Sequence, residues 1–351
     1  MHRVPDVRWL HHESRLLANN PMGDPHARTF PVYVPPGYDA DSSRGVPAVF
    51  LLAGWSGRGA RYLEDGGAFS ASLPERLDEA ILTDAMSPVI VVMPDCATRL
   101  GASQYVNSVA VGPYMDYLCD ELVPFIDREF RTDARAEARG ILGHSSGGFG
   151  ALVTAMKRPD RFRLVCSSAG DGWYDYLYRA GIPTMIRVIA RAGSVEQFIA
   201  RYLESPNAMG LLSREESETM MNLNMCACYA PNLAVPVLRG DLYFDLSTGA
   251  IRPDVWAKFL AWDPVEMVST HLGALRQMHW IHLESGTDDE YGLHLAHRQF
   301  ASRLRAHAIA HVVDEYPGRH GGHHYRFASR IARMLSAIRP SRDASSEMTN
   351  A

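Results

Sequence analysis

A serine flanked by glycines stands out in the stretch Ile141–Gly150, where an apolar run is followed by small residues. The segment from Gly143 to Gly147 has the form G-x-S-x-G, which is typical of a sharp turn from a strand into a helix. Such a turn holds the serine hydroxyl clear of the sheet, and the first N–H groups of the helix face a negative charge that develops beside it. The pattern therefore predicts a nucleophilic serine. The alternative is a Gly/Ser loop that only turns the chain.

Two neighbouring serines compete for this role. Ser145 has glycine two residues before and two residues after it, whereas Ser146 has His144 two residues before it. A side chain at that place would crowd the turn, so Ser145 is predicted as the nucleophile. The backbone N–H of Ser146 is then predicted to donate to the oxyanion.

A nucleophilic serine needs a histidine base, and the base needs a carboxylate that orients it. Four acidic residues cluster in 284–291, directly after a predicted strand. We choose Asp289 as the orienting acid and Asp288 as the second candidate, because spacing alone does not separate them. The alternative is a solvated acidic loop whose aspartates cap a helix.

The base must come from one of 15 histidines. The segment 316–324 follows a predicted strand and is rich in glycine, as a loop that delivers a base to a serine must be. Within it, His320 is the predicted base. The segment also contains His323 and His324, which raises the alternative of a metal site, but further ligands at a compatible spacing are not evident. We therefore expect no metal and no cofactor.

The elements that position these residues are short apolar runs alternating with helical patterns. The runs predict strands in 29–34, 46–52, 88–93, 140–143, 164–167, 280–283 and 310–315, and the periodicity predicts helices in 114–130, 296–306 and 326–338. Near-continuous apolar strands that alternate with helices indicate a mostly parallel sheet covered on both faces. Ligand sites in such sheets lie at the carboxyl ends of the strands, where Gly54, Asp95, Ser145 and Gly286 are predicted.

The stretch 171–277 interrupts this alternation with helix-like segments that contain several aromatic residues. We interpret it as an inserted helical cap, the cap segment, within a single domain that spans residues 1–340. Its aromatic side chains either line a substrate pocket or pack in the core: Trp173, Tyr174, Tyr176, Tyr178, Trp256 and Trp262. The polar tail 341–351 is expected to be disordered.

Composition narrows the class of protein. The 351 residues carry a formal net charge of -5 without a basic run, so a nucleic-acid partner is not expected. No apolar run is long enough to span a membrane, and the N-terminus lacks the pattern of a signal peptide, so a cytoplasmic protein is expected. The five cysteines are scattered, which favours buried thiols over disulfides. The oligomeric state is left open, with a homo-oligomer as one alternative.

The chain resembles the esterase family that includes esterase D, S-formylglutathione hydrolases, feruloyl esterases and mycolyltransferases. The resemblance is carried, in the family's order, by Val49–Trp55, the serine turn, Gly286–Tyr291 and Gly318–His320. It extends from about Thr29 to Ile338. It implies an α/β-hydrolase fold, with the acid at the fourth position of a G-x-x-D turn and the base in G-x-H.

These family positions correspond to Asp289 and His320. The family's other oxyanion donor, the N–H after the glycine that ends an early strand, corresponds to Trp55. The chain departs from the esterase D branch, which usually has a cysteine shortly after that glycine, where this chain has Trp55 to Gly59 without one. It also lacks the tryptophans that often follow the histidine. The missing cysteine weakens the case for S-formylglutathione as the substrate.

The expected function is hydrolysis of a small-molecule carboxylic ester through a Ser-His-Asp triad and an acyl-enzyme intermediate. One alternative is an acyltransferase that uses the same triad, in which an alcohol or amine outcompetes water. Another is a non-catalytic binding protein of the same fold. Substrate-binding residues are not assigned from the sequence.

Overall fold

A computed structural model of the chain describes residues 4–39, 45–64, 70–204 and 213–338. Apolar runs form most of its strands, because residues buried on both faces of a sheet have no polar alternation. The strands are β1 (Asp6–Glu13), β2 (Ala27–Val34), β3 (Ala48–Leu52), β4 (Ile90–Val92), β5 (Asn107–Ser108), β6 (Gly112–Pro113), β7 (Arg139–His144), β8 (Leu164–Ser168), β9 (Trp280–Gly286) and β10 (Val312–Tyr316).

Eight of the strands in the described residues form one sheet, in the order β1-β2-β4-β3-β7-β8-β9-β10. The pairs from β4 to β10 are parallel, whereas β1 pairs with β2, and β2 with β4, in antiparallel register. The short strands β5 and β6 form a separate hairpin. The expectation of a mostly parallel sheet is confirmed.

Helices cover both faces of this sheet. They are α1 (Leu73–Leu82), α2 (Tyr114–Asp116), α3 (Val123–Glu129), α4 (Ser146–Lys157), α5 (Tyr174–Leu177), α6 (Ile182–Ala192), α7 (Val195–Glu204), α8 (Arg214–Tyr229), α9 (Pro253–Leu260), α10 (Pro264–Met267), α11 (Leu272–Leu275), α12 (Leu293–Ala306) and α13 (Phe327–Leu335). A π-helical segment, Tyr117–Leu122, joins α2 to α3, so the helix predicted in 114–130 is present but changes its hydrogen-bond pattern along its length.

The core is divided by the sheet into two layers, because successive strand residues point to opposite faces. On β3, Val49 and Leu51 lie in a cluster with Leu77 of α1 and Ile331 of α13. The alternate β3 residues, Phe50 and Leu52, lie in a larger cluster that also holds residues of α3, α4 and the cap segment. Burial on both faces fixes the central strands, whose carboxyl ends all lie at one edge.

Two parts of the fold differ from the prediction or extend it. The strand β1 was not predicted, because Asp6–Glu13 is largely polar and only half-buried at the sheet edge. Between β8 and β9, the described part of the cap segment contains the helices α5 to α11. The tail 341–351 lies outside the described residues, so its prediction stays untested.

The five cysteines are buried free thiols, as expected. Within the described ranges, no helix combines the length and apolarity needed to cross a bilayer.

Candidate active site

The serine predicted as the nucleophile lies between β7 and α4, in a strained backbone conformation. Ser145 has φ 58° and ψ -128°, which a non-glycine residue adopts only when its surroundings enforce it. Its N–H donates to the Ser168 carbonyl at the end of β8, and its carbonyl accepts from Phe149 N–H in the first turn of α4. Contacts on both sides thus hold the turn in the conformation that projects the hydroxyl from the sheet.

The two glycines of the motif are required by space. A Cβ on Gly143 would lie 2.4 Å from the Gly147 carbonyl carbon, and a Cβ on Gly147 would lie 2.1 Å from the Leu52 carbonyl oxygen. Both partners are backbone atoms that cannot rotate away. The pattern G-x-S-x-G therefore reflects close packing of the turn against β3.

A hydrogen bond connects the predicted base and acid. His320 Nδ1 lies 2.8 Å from Asp289 Oδ2, and the Asp289 side chain is completely buried. The other carboxylate oxygen, Oδ1, accepts from the N–H of Tyr291 at 2.8 Å. By contrast, Asp288 is exposed and its N–H donates to the Gly318 carbonyl, so it serves the turn rather than the histidine. The structure thus brings Asp289, and not Asp288, to His320.

The hydrogen bonds determine the charge of the acid and the tautomer of the base. Burial alone would raise the pKa of Asp289, but the hydrogen bond and charge of His320 and the N–H groups of Tyr291 and Leu293 outweigh it and lower that pKa. An ionised carboxylate can only accept a hydrogen bond, so His320 Nδ1 must carry the proton. Nε2 is then free to take a proton from a nucleophile.

The loop that carries the base is held against the turn that carries the acid. Glu290 Oε2 accepts from the backbone N–H of His320 at 3.0 Å. A Cβ on Gly286, at the end of β9, would lie 2.1 Å from the Gly318 carbonyl oxygen, so the two loops touch through their backbones. Since β9 and β10 are adjacent and parallel, their carboxyl ends deliver acid and base to one place.

Ser145 and His320 both line a central pocket of about 240 Å³. The ring of His144, inside the serine motif, lies 4.6 Å from the His320 ring between centroids. Burial, followed by the charge of His320, lowers the pKa of His144 well below its usual range, so His144 is neutral at pH 7. The remaining lining residues are Gly54, Trp55, Arg61, Tyr62, Asp171, Leu177, Tyr178, Met221, Tyr291, Leu293, Gly321, Gly322 and His324.

The residues predicted as oxyanion donors lie beside the serine. Ser146 begins α4, and Trp55 lines the pocket directly after Gly54, whose Cβ position would be 3.4 Å from Ser145 Cβ. The Trp55 indole Nε1 donates to Asn224 Oδ1 of α8 at 3.0 Å. The cap segment therefore anchors the residue whose backbone N–H is the predicted donor.

Sequence reasoning missed two polar residues beside the serine turn. Gln104 Nε2 donates to Ser146 Oγ at 2.9 Å, and Ser146 Oγ donates to Asp171 Oδ2 at 3.1 Å. Asp171 follows β8 at the carboxyl edge of the sheet, a position that could have identified it. Gln104 lies in a loop and has φ 53°. No sequence pattern indicates its contact with Ser146. Of the cap aromatics, Tyr174, Tyr178 and Trp256 are buried in the core, and Tyr178 also lines the pocket.

A second Cys/His/Asp alignment is present in the core. Cys166 Sγ lies 3.7 Å from His282 Nδ1, and His282 Nε2 lies 2.9 Å from Asp314 Oδ2. Burial raises the pKa of the Cys166 thiol to about 12 and lowers the pKa of His282 to about 4. Both side chains are inaccessible and uncharged at pH 7, so this alignment is structural.

The histidines considered as metal ligands have other contacts. His323 Nε2 bonds to the Arg319 carbonyl at 2.8 Å, and the ring of His324 packs against Phe327. Throughout the part of the chain that the structure describes, no three His, Cys, Asp or Glu side chains are grouped as a metal site would need.

Comparisons with known proteins place this chain in a family. Residues 24–338 match the family model described as "Putative esterase". Protein YbbA of Bacillus subtilis (strain 168), described as uncharacterized, is 23% identical over 159 residues, which cover 42% of this chain and 58% of that protein. Esterase Rv1288 of Mycobacterium tuberculosis (strain ATCC 25618 / H37Rv) is 39% identical over 90 residues, which cover 24% of this chain and 19% of that protein.

Solved structures show the same architecture over nearly the whole chain. A ferulic acid esterase superposes with a TM-score of 0.58 at 16% identity, covering 95% of this chain and 97% of that chain. The S-formylglutathione hydrolase FrmB from Staphylococcus aureus superposes with a TM-score of 0.57 at 15% identity, covering 96% of this chain and 100% of that chain. The chain therefore has the α/β-hydrolase fold and belongs to the esterase family that the model describes.

Proposed function

We propose that this protein hydrolyses small carboxylic esters, with Ser145 as nucleophile, His320 as base and Asp289 as orienting acid. The observation that carries the proposal is the His320–Asp289 hydrogen bond of 2.8 Å beside a pocket that Ser145 lines. The family and its structural neighbours support ester hydrolysis, and the mechanism is inferred from the residues.

In the proposed reaction, His320 Nε2 takes the hydroxyl proton as Ser145 Oγ attacks the acyl carbon. The negative charge moves to the carbonyl oxygen, which in this proposal accepts from the N–H groups of Trp55 and Ser146. The amino-terminal end of α4 favours that charge further. His320 then gives its proton to the leaving alcohol, and an acyl-serine ester forms.

The second half of the reaction reverses these roles. His320 takes a proton from water, the hydroxide attacks the acyl carbon, and the acid leaves as the proton returns to Ser145. Asp289 stays ionised throughout and stabilises the imidazolium in both steps. The neutral ring of His144 adds no positive charge beside that imidazolium.

The size of the pocket supports a small substrate. Its volume of about 240 Å³ lies below the roughly 300–1,000 Å³ of pockets for drug-sized ligands. The cap segment narrows it with side chains that include Leu177 and Met221. We therefore propose short acyl groups as the preferred ones.

Labelling with a fluorophosphonate probe, together with turnover of p-nitrophenyl butyrate, tests the proposal. The wild type should label and turn over, and Ser145→Ala should do neither, with a loss of about 10⁴-fold or more in kcat. Ser146→Ala keeps its backbone N–H and should still label, whereas the exposed Ser269→Ala serves as an unaffected control. Labelling of Ser145→Ala equal to the wild type would refute the assignment, and absence of labelling in every protein would favour a binding protein.

A further inference from the structure

Asp171 is a carboxylate in the central pocket that the proposed triad does not use. Asp171 is 5% exposed and lines the same pocket as Ser145 and His320. Its Oδ2 accepts from Ser146 Oγ at 3.1 Å and from the Tyr178 hydroxyl at 3.5 Å. None of the described residues donates to its other oxygen, Oδ1. One oxygen of this buried, pocket-lining carboxylate thus has no donor among the described residues.

A second buried aspartate shows what a purely structural role looks like. Asp263 is 1% exposed, and its Oδ1 accepts from Trp173 N–H at 2.9 Å and from Val265 N–H at 3.0 Å. Its Oδ2 accepts from Tyr174 N–H at 2.7 Å. Both oxygens therefore accept from N–H groups at the starts of α5 and α10. Asp171 has no such backbone donors among the described residues, so capping of a helix does not explain why this carboxylate is buried.

Burial of Asp171 costs stability that its neighbours only partly offset. Burial raises the pKa of Asp171 to about 6, against the opposing effects of His320 and of the Ser146 and Tyr178 hydroxyls. The largest effects on its pKa come from burial, His320, Ser146, Asp289 and Tyr178, and none of these groups is a lysine or arginine. Burial raises the pKa of the structural Asp263 to about 6 as well, so the features that mark Asp171 as a candidate for function are its place in the pocket and the lack of a donor to Oδ1 among the described residues.

The surroundings hold Asp171 in a fixed position. The preceding residue, Gly170, donates its N–H to His297 Nε2 at 3.2 Å. A Cβ on Gly148 would lie 2.9 Å from Gly170 Cα, so the turn after β8 packs directly on the start of α4. A rigidly supported side chain is what precise recognition of a ligand group requires.

The position of Asp171 relates it to the acyl part of an ester. The leaving alcohol must be reached by His320, and residues of the same loop, Gly321 and Gly322, line the pocket there. Asp171 accepts from Ser146, the predicted oxyanion donor, and His320 is close enough for its charge to lower the pKa of Asp171. The cap residues Leu177 and Met221 line the same pocket. A chain extending from the acyl carbon beneath the cap segment would thus meet apolar side chains and one carboxylate oxygen.

Resting on the ester hydrolysis proposed above, we propose that Asp171 is a specificity residue whose Oδ1 binds a hydroxyl or ammonium group on the acyl chain of the substrate. A buried acceptor left unpaired by an apolar substrate costs free energy, so the site favours acyl chains that bring a donor. The substrate class is an ester of a short hydroxy or amino acid.

Three p-nitrophenyl esters of matched size test this: the 3-methylbutyrate, 3-hydroxybutyrate and 3-aminobutyrate, with spontaneous hydrolysis subtracted. The readout is the ratio of kcat/KM for a donor-bearing ester to kcat/KM for the 3-methylbutyrate. We expect a ratio of about tenfold or more in the wild type and a loss of that preference in Asp171→Leu. Asp171→Asn separates the two donors, because it keeps an acceptor oxygen for a hydroxyl but removes the charge that an ammonium needs.

The control is Asp175→Asn, because Asp175 is an exposed carboxylate of the same helix region that pairs with Arg179. Its ratios should equal those of the wild type. Fluorophosphonate labelling of Ser145 and the Tm show whether each variant is folded, and Asp171→Asn with the amino ester remains a test if Asp171→Leu does not fold.

A wild type that prefers the 3-methylbutyrate, or that labels but turns over none of the three esters, would overturn the proposal. An equal loss for all three esters in the Asp171 variants would also overturn it, because Asp171 would then only position Ser146. Failure of the proposed hydrolysis is distinct from these results: the wild type would neither label nor turn over any ester.

Discussion

Replacement of Asp289 by asparagine is the sharpest test of the site, because it changes one atom in a buried hydrogen bond. Asp289 Oδ1 already accepts from the Tyr291 N–H, so the oxygen of an asparagine would stay there. The NH₂ group would then face His320 Nδ1 across the 2.8 Å contact. Nδ1 would have to accept, the proton would move to Nε2, and the base could no longer take the Ser145 proton.

The expected loss is large for Asp289 and small for its neighbour. In a Ser-His-Asp site the wrong histidine tautomer lowers kcat by about 10⁴, which is about 5 kcal/mol of transition-state stabilisation. Asp288 is exposed, and Asp288→Asn should change kcat by no more than about twofold, since exposed substitutions away from such contacts cost within about 0.5 kcal/mol.

The assay compares kcat for p-nitrophenyl butyrate in the wild type, Asp289→Asn and Asp288→Asn at pH 7. The Tm of each protein shows that the fold is retained, as expected for a change that keeps the shape of the side chain. Labelling by the fluorophosphonate should slow in Asp289→Asn alone, because the probe also needs an activated Ser145. If Asp288→Asn alone is impaired, or if both variants match the wild type, the reasoning is wrong.

Four further outcomes follow from the structure. In a series of p-nitrophenyl esters, kcat/KM should be higher for the acetate and butyrate than for the decanoate, since the pocket holds about 240 Å³. Gly147→Ala, whose Cβ would meet the Leu52 carbonyl, should lower the free energy of unfolding by about 3 kcal/mol or more, whereas Gly273→Ala, with open space around it, should not, as thermal unfolding will show. Asn224→Ala removes the acceptor of the Trp55 indole, so both Tm and kcat should fall, and an unchanged kcat would separate Trp55 from the oxyanion site. The pKa of Asp171 in the folded protein, about 6, exceeds the ordinary 3.8. Ionisation of Asp171 therefore lowers the free energy of unfolding by up to about 3 kcal/mol above pH 6. Asp171→Asn should therefore raise Tm at pH 8, and the gain should shrink as pH falls from 6 to 4.

Much of the scaffold could be predicted because it depends on local patterns. Apolar runs located the central strands, and the G-x-S-x-G spacing located the turn at Ser145, whose glycines pack against β3. The edge strand Asp6–Glu13 was missed because half-buried polar residues leave no apolar run, and its pairing with β2 becomes evident only in the sheet.

The candidate site was predictable only in part. The residue types and chain order indicated Ser145, His320 and an acidic turn. Spacing alone does not distinguish two adjacent aspartates in that turn. The fold separates them: Asp289 is buried toward His320, whereas Asp288 faces solvent.

The sequence by itself determined the sharp serine turn, the alternation of strands and helices, and the placement of serine, acidic and histidine residues directly after strands. These features arise from steric limits and burial patterns within a few residues. Only the tertiary structure decided which acid meets the histidine, and that Asp171 accepts from Ser146 while lining the same pocket. Those contacts join residues from separate strands and loops, so they depend on how the layers pack and not on any local pattern.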